Sequence, residues 1–236
     1  MNIPMIKVPK FTMTLPISGD VVEYRPFVVK EEKILILAND TDDINESLRA
    51  VADIIEQCTF GKMKIEHYCL ADMQYAFLEI RGKSIGTELS LMMVCGECGA
   101  KHPKTFFHED FEVVKQNVDK IINIGDDIKV ELTYPGLQHY AMLFSTDEDE
   151  NTFETVYNMV VTCITKIYDS EEVFLNDPSK HEQVREFVDQ LTPEQFEKFE
   201  QFFLAMPIMI KREEFTCSEC SASNVLVVDT LKSFFS

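Results

Sequence analysis

The spacing of apolar residues changes period several times along the chain, and each change marks an element. Phe11-Thr12-Met13-Thr14-Leu15 alternates apolar and polar positions, Ser18-Gly19-Asp20 supplies a turn, and Val21-Val22-Glu23-Tyr24-Arg25-Pro26-Phe27 returns. This period of two predicts an N-terminal β-hairpin, with Pro26 ending the ladder because proline has no N–H to donate. From Lys30 to Ala38 the pattern becomes helical, with Glu31 and Glu32 in the first turn, where the positive end of the helix dipole favours carboxylates. Ile44, Leu48, Val51, Ile55 and Cys58 then recur at alternating intervals of four and three, the apolar stripe of a helix from Asp43 to Cys58. Tyr75, Phe77, Leu78 and Ile80 give a third helix over about Asp72 to Lys83. The three helices are expected to form a compact bundle on the hairpin.

From Thr87 the chain reads as extended. Leu89, Leu91, Met93 and Val94 lead into a first Cys-x-x-Cys, and Thr105-Phe106-Phe107 and Ile128-Lys129-Val130-Glu131-Leu132 read as strands beyond it. Residues Asn117 to Ile124 fit helix or strand equally, and Tyr134-Pro135-Gly136 reads as a turn. Asp147-Glu148-Asp149-Glu150 is a solvated acidic loop by composition. A helix from Thr152 to Tyr168 follows, with Val156, Val160, Cys163, Ile164 and Ile167 as its stripe, and another spans Ser179 to Leu191. Thr192-Pro193-Glu194-Gln195 is a strong start signal: an N-cap hydroxyl, a proline at the first helical position and a capping-box glutamine. Phe196, Phe199, Phe202 and Phe203 form the core face of that helix and Pro207 ends it. Extended segments at Ile208 to Phe215, Val225 to Val228 and Leu231-Lys232-Ser233-Phe234-Phe235 close the chain.

The chemistry is concentrated in two cysteine pairs, Cys95-Gly96-Glu97-Cys98 and Cys217-Ser218-Glu219-Cys220, each entered from a strand-like run and followed by another extended segment. That is the pattern of a zinc knuckle, a tight turn whose two thiolates converge on one ion. Cys95, Cys98, Cys217 and Cys220 together would complete a tetrahedral shell around a structural zinc, leaving no position for water or substrate. The wide sequence gap between the pairs is tolerable because loop closure costs entropy only logarithmically with length. Glycine follows the second cysteine only in the first pair (Gly99); Ser221 holds the equivalent place in the second. His102 or His108 is the alternative ligand. The expected fold class is therefore α+β. It comprises a hairpin with helical bundle over 1–84 and a β region over 85–236 joined by the four-cysteine zinc site. A second helical segment, about 151–206, lies between the knuckles.

Composition narrows the function. Hydrophobic residues make up 45% and charged residues 27%, ordinary for a globular chain. No run approaches the roughly 18 apolar residues of a membrane span, and the N-terminal residues lack a signal-peptide core, so cytoplasmic synthesis and no membrane partner are expected. Seven cysteines at irregular spacing fit thiols better than a disulfide framework, with Cys58, Cys69 and Cys163 as core residues. The formal charge of −19 repels phosphate backbones, and the basic clusters are only Lys101-His102-Pro103-Lys104 and Lys211-Arg212. Nucleic-acid binding is thus not expected.

Enzymatic alternatives lack their residues. Cys95-Gly96-Glu97-Cys98 is followed by Gly99-Ala100-Lys101-His102-Pro103, which does not read as the helix that activates a redox thiol. A zinc deaminase needs a His-x-Glu ahead of a Pro-Cys-x-x-Cys; Glu66-His67 is reversed and Val94 replaces the proline. His67, His102, His108, His139 and His181 are scattered, no phosphate-cradling glycine loop is present, and no catalytic residue is assigned.

The stretch from Leu15-Pro16-Ile17-Ser18-Gly19 through Arg25-Pro26-Phe27 and Lys30-Glu31-Glu32-Lys33 to Ala38 resembles the opening of the baseplate hub and hub-assembly proteins of T-even-type contractile-tailed phages. Phe77-Leu78-Glu79-Ile80-Arg81 with Lys83-Ser84, the cysteine knuckle, and a final Cys-x-x-Cys before Phe234-Phe235 are similar too. The likeness covers most of the chain, sharpest at 15–38 and 77–98 and weakest from Ile124 to Leu191. It implies a non-enzymatic role in tail morphogenesis, as a hub subunit or assembly factor touching other hub proteins. Work in the host cytoplasm during assembly, or a place in the virion baseplate, would follow. The alternative class is an acidic, zinc-stapled regulator that mimics nucleic acid and binds a nucleic-acid enzyme.

Overall fold

Alternation in the first segment buries one face and leaves the other to water. The structure, a computed structural model, describes residues 6–39, 43–125, 127–139 and 152–229. The acidic stretch Asp147–Glu150 and the closing Leu231–Phe235 lie outside the described residues. The chain divides into two compact units: Met1–Val114 together with Ile208–Ser236, and Lys115–Pro207.

In the first unit β1 (Phe11–Thr14) pairs antiparallel with β2 (Val21–Tyr24), Met13 facing Val22, and Met13, Leu15, Val22 and Tyr24 are buried. Three helices follow, α1 (Val29–Asn39), α2 (Ile44–Cys58) and α3 (Leu70–Ile85). Asp43 caps α2 by accepting the Asn45 N–H at 2.8 Å, and Leu48, Val51, Ile55 and Cys58 are buried as the stripe requires. The hairpin is pinned to the helices by polar groups. Asp72, buried in the first turn of α3, accepts the N–H groups of Ile17 at 2.8 Å and Ser18 at 3.0 Å, and Tyr24 donates its hydroxyl to Glu79 at 3.0 Å. Glu31 is wholly buried and accepts from Arg25 at 2.8 Å and from the Val28 N–H at 2.9 Å. Burial alone would raise its carboxyl pKa; these hydrogen bonds outweigh it and hold the group down at about 2.

The same unit continues into β3 (Glu88–Val94), paired with β4 (Lys101–Phe107). Pro103 lies within β4 opposite Met92; among the described residues the sheet has only these two strands, so β4 is an edge where a missing donor is tolerated. The basic Lys101–Lys104 run is thus strand. A separate three-stranded sheet has the order β11 (Ser223–Asp229), β10 (Ile208–Thr216), β5 (Glu112–Val114), with Ile208 opposite Val114. Leu78 of α3 packs with Leu89, Leu91, Met93, Phe106 and Met209 in one apolar cluster.

The second unit holds a four-stranded antiparallel sheet, β6 (Ile121–Asn123), β7 (Lys129–Leu132), β8 (Ile164–Tyr168) and β9 (Val173–Leu175), with α4 (Thr152–Cys163), α5 (His181–Val188) and α6 (Pro193–Leu204). Two expectations are corrected here. The stretch expected to be helical over about 151–206 also contains the strands β8 and β9. The helix expected from Thr152 to Tyr168 stops at Cys163, and its last five residues form β8. Ile164, Thr165 and Ile167 are β-branched, and the strand buries Ile164 and half-buries the other two, pairing Ile164 with Leu132 and Ile167 with Val130 and Phe174. Asn176 secures the switch by donating its amide to the Ile164 carbonyl at 2.8 Å and the Val161 carbonyl at 3.3 Å. The capping box of α6 forms as read: Thr192 accepts the Gln195 N–H and Gln195 accepts the Thr192 N–H. Phe199, Phe202 and Phe203 lie in a core with Val130, Val160 and Cys163.

Candidate metal centre

Strand alternation aims the cysteines. Along β3 Leu89, Leu91 and Met93 point inward, and Cys95 is the next residue on that face; along β10 Glu213, Phe215 and Cys217 share a face in the same way. Each strand then enters a turn with one hydrogen-bond scheme. Cys95 N–H donates to the Ala100 carbonyl at 2.9 Å and Gly99 N–H to the Cys95 carbonyl at 2.9 Å; Cys217 to Ala222 and Ser221 to Cys217 repeat both bonds at 2.9 Å. The turn requires a left-handed residue at its fifth position. Gly99 takes φ +71° and Ser221 takes φ +60°, so the serine adopts a glycine conformation at a steric cost.

The two turns meet. Cys95 Sγ lies 3.7 Å from Cys220 Sγ and Cys98 Sγ 3.6 Å from Cys217 Sγ, and all four sulfurs are within 4.8 Å of one another. These separations are far longer than the roughly 2.0 Å of a disulfide, and the cysteines are free thiols. The first cysteine of each pair is buried and the second exposed.

The electrostatics favour a cation. Backbone N–H groups of Cys98 and Glu97 turn toward the first sulfur and lower the Cys95 pKa; those of Cys220, and then Glu219, bring Cys217 down to about 6. Cys220 moves the other way, to about 12: the Ala222 N–H lowers it, but sulfur neighbours, Cys98 first, raise it. Four thiolates this close cannot all carry charge unaided, and a bound divalent ion removes that conflict. The donor set is soft and all-sulfur, and it could hold one metal ion.

Side chains outside the sulfur shell tie the turns together. Asn224, which the sequence pattern did not single out, accepts the Gly96 N–H at 3.0 Å and directs its amide at Cys95 Sγ at 3.5 Å. His102 lies beside the four-sulfur cluster and is not one of its members; its Nε2 sits 3.3 Å from Cys217 Sγ and its ring packs on Phe215 at 5.4 Å. His108 is drawn away to Glu79, at 3.3 Å. Lys104 pairs with Glu213 between β4 and β10. Of the remaining cysteines, Cys58 and Cys163 are wholly buried, and burial pushes their thiols up to about 11 and about 12. Cys69 is half-buried at the start of α3. Among the described residues no helix is long and apolar enough to cross a membrane.

A family model described as T4 bacteriophage base plate protein matches residues 8–236. No curated protein and no solved structure matches the chain.

Proposed function

The chain belongs to the T4 bacteriophage base plate protein family, with a structural or assembly role in the baseplate and contacts with other baseplate proteins, and we propose that it serves the central hub. On this reading it works without catalysis, in the host cytoplasm during assembly, as a hub subunit or as a factor that covers a hub surface until the next subunit arrives. The family match over nearly the whole chain carries the reading. Its narrowing to the hub rests on the likeness at residues 15–38 and 77–98. A charge of −19 suits temporary cover for a basic surface.

We further propose that Cys95, Cys98, Cys217 and Cys220 hold one structural zinc. A tetrahedron with Zn–S bonds of about 2.3 Å has edges of about 3.8 Å, close to the 3.7 and 3.6 Å sulfur separations. Zinc would clasp the mid-chain turn to the C-terminal one and leave no coordination position for a reactant.

Affinity purification of the tagged chain from infected cells, with mass spectrometry of partners and of mature particles, tests the function. Hub proteins in the eluate are expected. Retention of a nucleic-acid enzyme without any baseplate protein would overturn the reading. Elemental analysis of freshly purified protein tests the metal: about one zinc per chain is expected, and metal-free protein with four titratable native thiols at this site would exclude it.

A further inference from the structure

A second surface lies in the unit formed by Lys115–Pro207. Between α4, α5 and α6 runs an open groove of about 510 Å³. Its floor is apolar and aromatic, from Phe153, Tyr157, Leu191 and Phe196. Phe153 is 55% exposed although its ring contacts Phe196 at 5.3 Å, so a large apolar face remains open to solvent beside the core. The rim is acidic: Asp189, Glu197 and Glu200 line it, and among the described residues no lysine, arginine or histidine does. Arg185, one turn before Asp189, is not among the lining residues; it donates to Asn158 at 3.0 Å and stands 5.6 Å from the ring centre of Tyr157 in the floor. Tyr157 in turn donates to Asp189 at 2.9 Å, which fixes the floor and one carboxylate of the rim together.

We propose that this groove docks a segment of a partner protein bearing one aromatic or large aliphatic anchor flanked by lysine or arginine. The volume suits one or two buried side chains. An anchor would cover the exposed Phe153 face, and flanking cations would meet three carboxylates that lack a lining counter-charge. The inference deepens the proposed function, naming a surface and the chemistry of the baseplate partner it would receive, and rests on that reading only for the partner's source.

The test uses the full chain and a fluorescein-labelled peptide of one phenylalanine with two lysines on each side, read by anisotropy. Saturable binding is expected, lost when the phenylalanine is replaced by glycine or the lysines by glutamate. The double variant Glu197→Lys/Glu200→Lys should weaken binding by about tenfold or more. The pair Glu171→Lys/Glu172→Lys makes the same charge change in the exposed β8–β9 turn and should weaken it far less. Melting curves confirm that both variants fold. No binding, binding indifferent to the phenylalanine, or equal weakening by the two double variants would overturn the groove, the last because it signals diffuse attraction to an acidic chain. Pull-down from infected cells separates the two readings. Loss of a baseplate partner by the groove variant alone supports the proposal. Full retention by that variant rejects the groove while the baseplate role stands, and a wild-type chain that retains no baseplate protein rejects that role whatever the peptide does.

Discussion

The two compact units reach stability by different means. The second is one continuous stretch, and its core is a contiguous set of aliphatic and phenylalanine side chains over a four-stranded sheet. The first is built from two stretches far apart in sequence, and polar and sulfur contacts tie it together: locally Glu31 with Arg25, and at long range Asp72 on the hairpin turn, Asn224 across the turns, and four converging thiols. In the second, neighbouring elements of one stretch bury that core, and polar contacts such as Asn176 on the Ile164 carbonyl act between positions close in sequence. In the first, the return of residues 208–236 closes a long loop, and directional contacts are needed to fix where it lands.

Removing the metal should separate the units most sharply. With the proposed zinc in place, chelation or Cys217→Ser should cost the first unit several kcal/mol, since zinc affinities of about 10 kcal/mol or more are coupled to folding. Amide hydrogen exchange should accelerate in β3, β10 and β11 while β7, β8 and α6 keep their protection; uniform loss would mean that the units fold as one. The converse probe is Phe199→Ala, which empties a fully buried site and should cost about 3–5 kcal/mol with zinc content unchanged.

A smaller and pH-dependent effect is expected at Glu31. Its carboxyl is held at about 2 against an ordinary 4.5, so the native state binds a proton less readily than the unfolded one. The stabilisation is complete above 4.5 and fades as pH falls from there toward about 2. Glu31→Gln should therefore cost about 3 kcal/mol at neutral pH, leaving Arg25 half-buried without its carboxylate, and progressively less in acid. A penalty that does not change with pH would show that packing, not charge, is lost. Smallest of all, Ser221→Gly should stabilise the first unit by about 0.5–1 kcal/mol by relieving a left-handed serine. The same substitution at an ordinary serine would destabilise, so the sign alone is diagnostic.

What could be read in advance follows from range. The hairpin, α1 to α3, the capping box of α6 and the cysteine pairs are written in local pattern, within a few residues of one another. The Thr152–Tyr168 error also has a local cause: Val156, Val160, Cys163, Ile164 and Ile167 are apolar at spacings that suit a helix, and all are buried or half-buried. Only pairing with β7 and β9 decides that the last two belong to a strand. Asn224 and the outer-shell place of His102 were invisible for the same reason, since each acts on a turn more than 100 positions away. Glu31 reads as a helix-dipole residue from its place in the first turn of α1; that pattern does not announce its burial in an ion pair with Arg25, six residues earlier.

The meeting of Val114 with Ile208 across β5 and β10 has a consequence for how this chain can vary. The point where the middle stretch departs and the point where it rejoins are rungs of one ladder. A short reverse turn could bridge them, so the whole cassette is exchangeable in principle without redrawing the sheet that carries it. Replacing residues 115–207 by such a turn would leave the register of β5 on β10 unchanged.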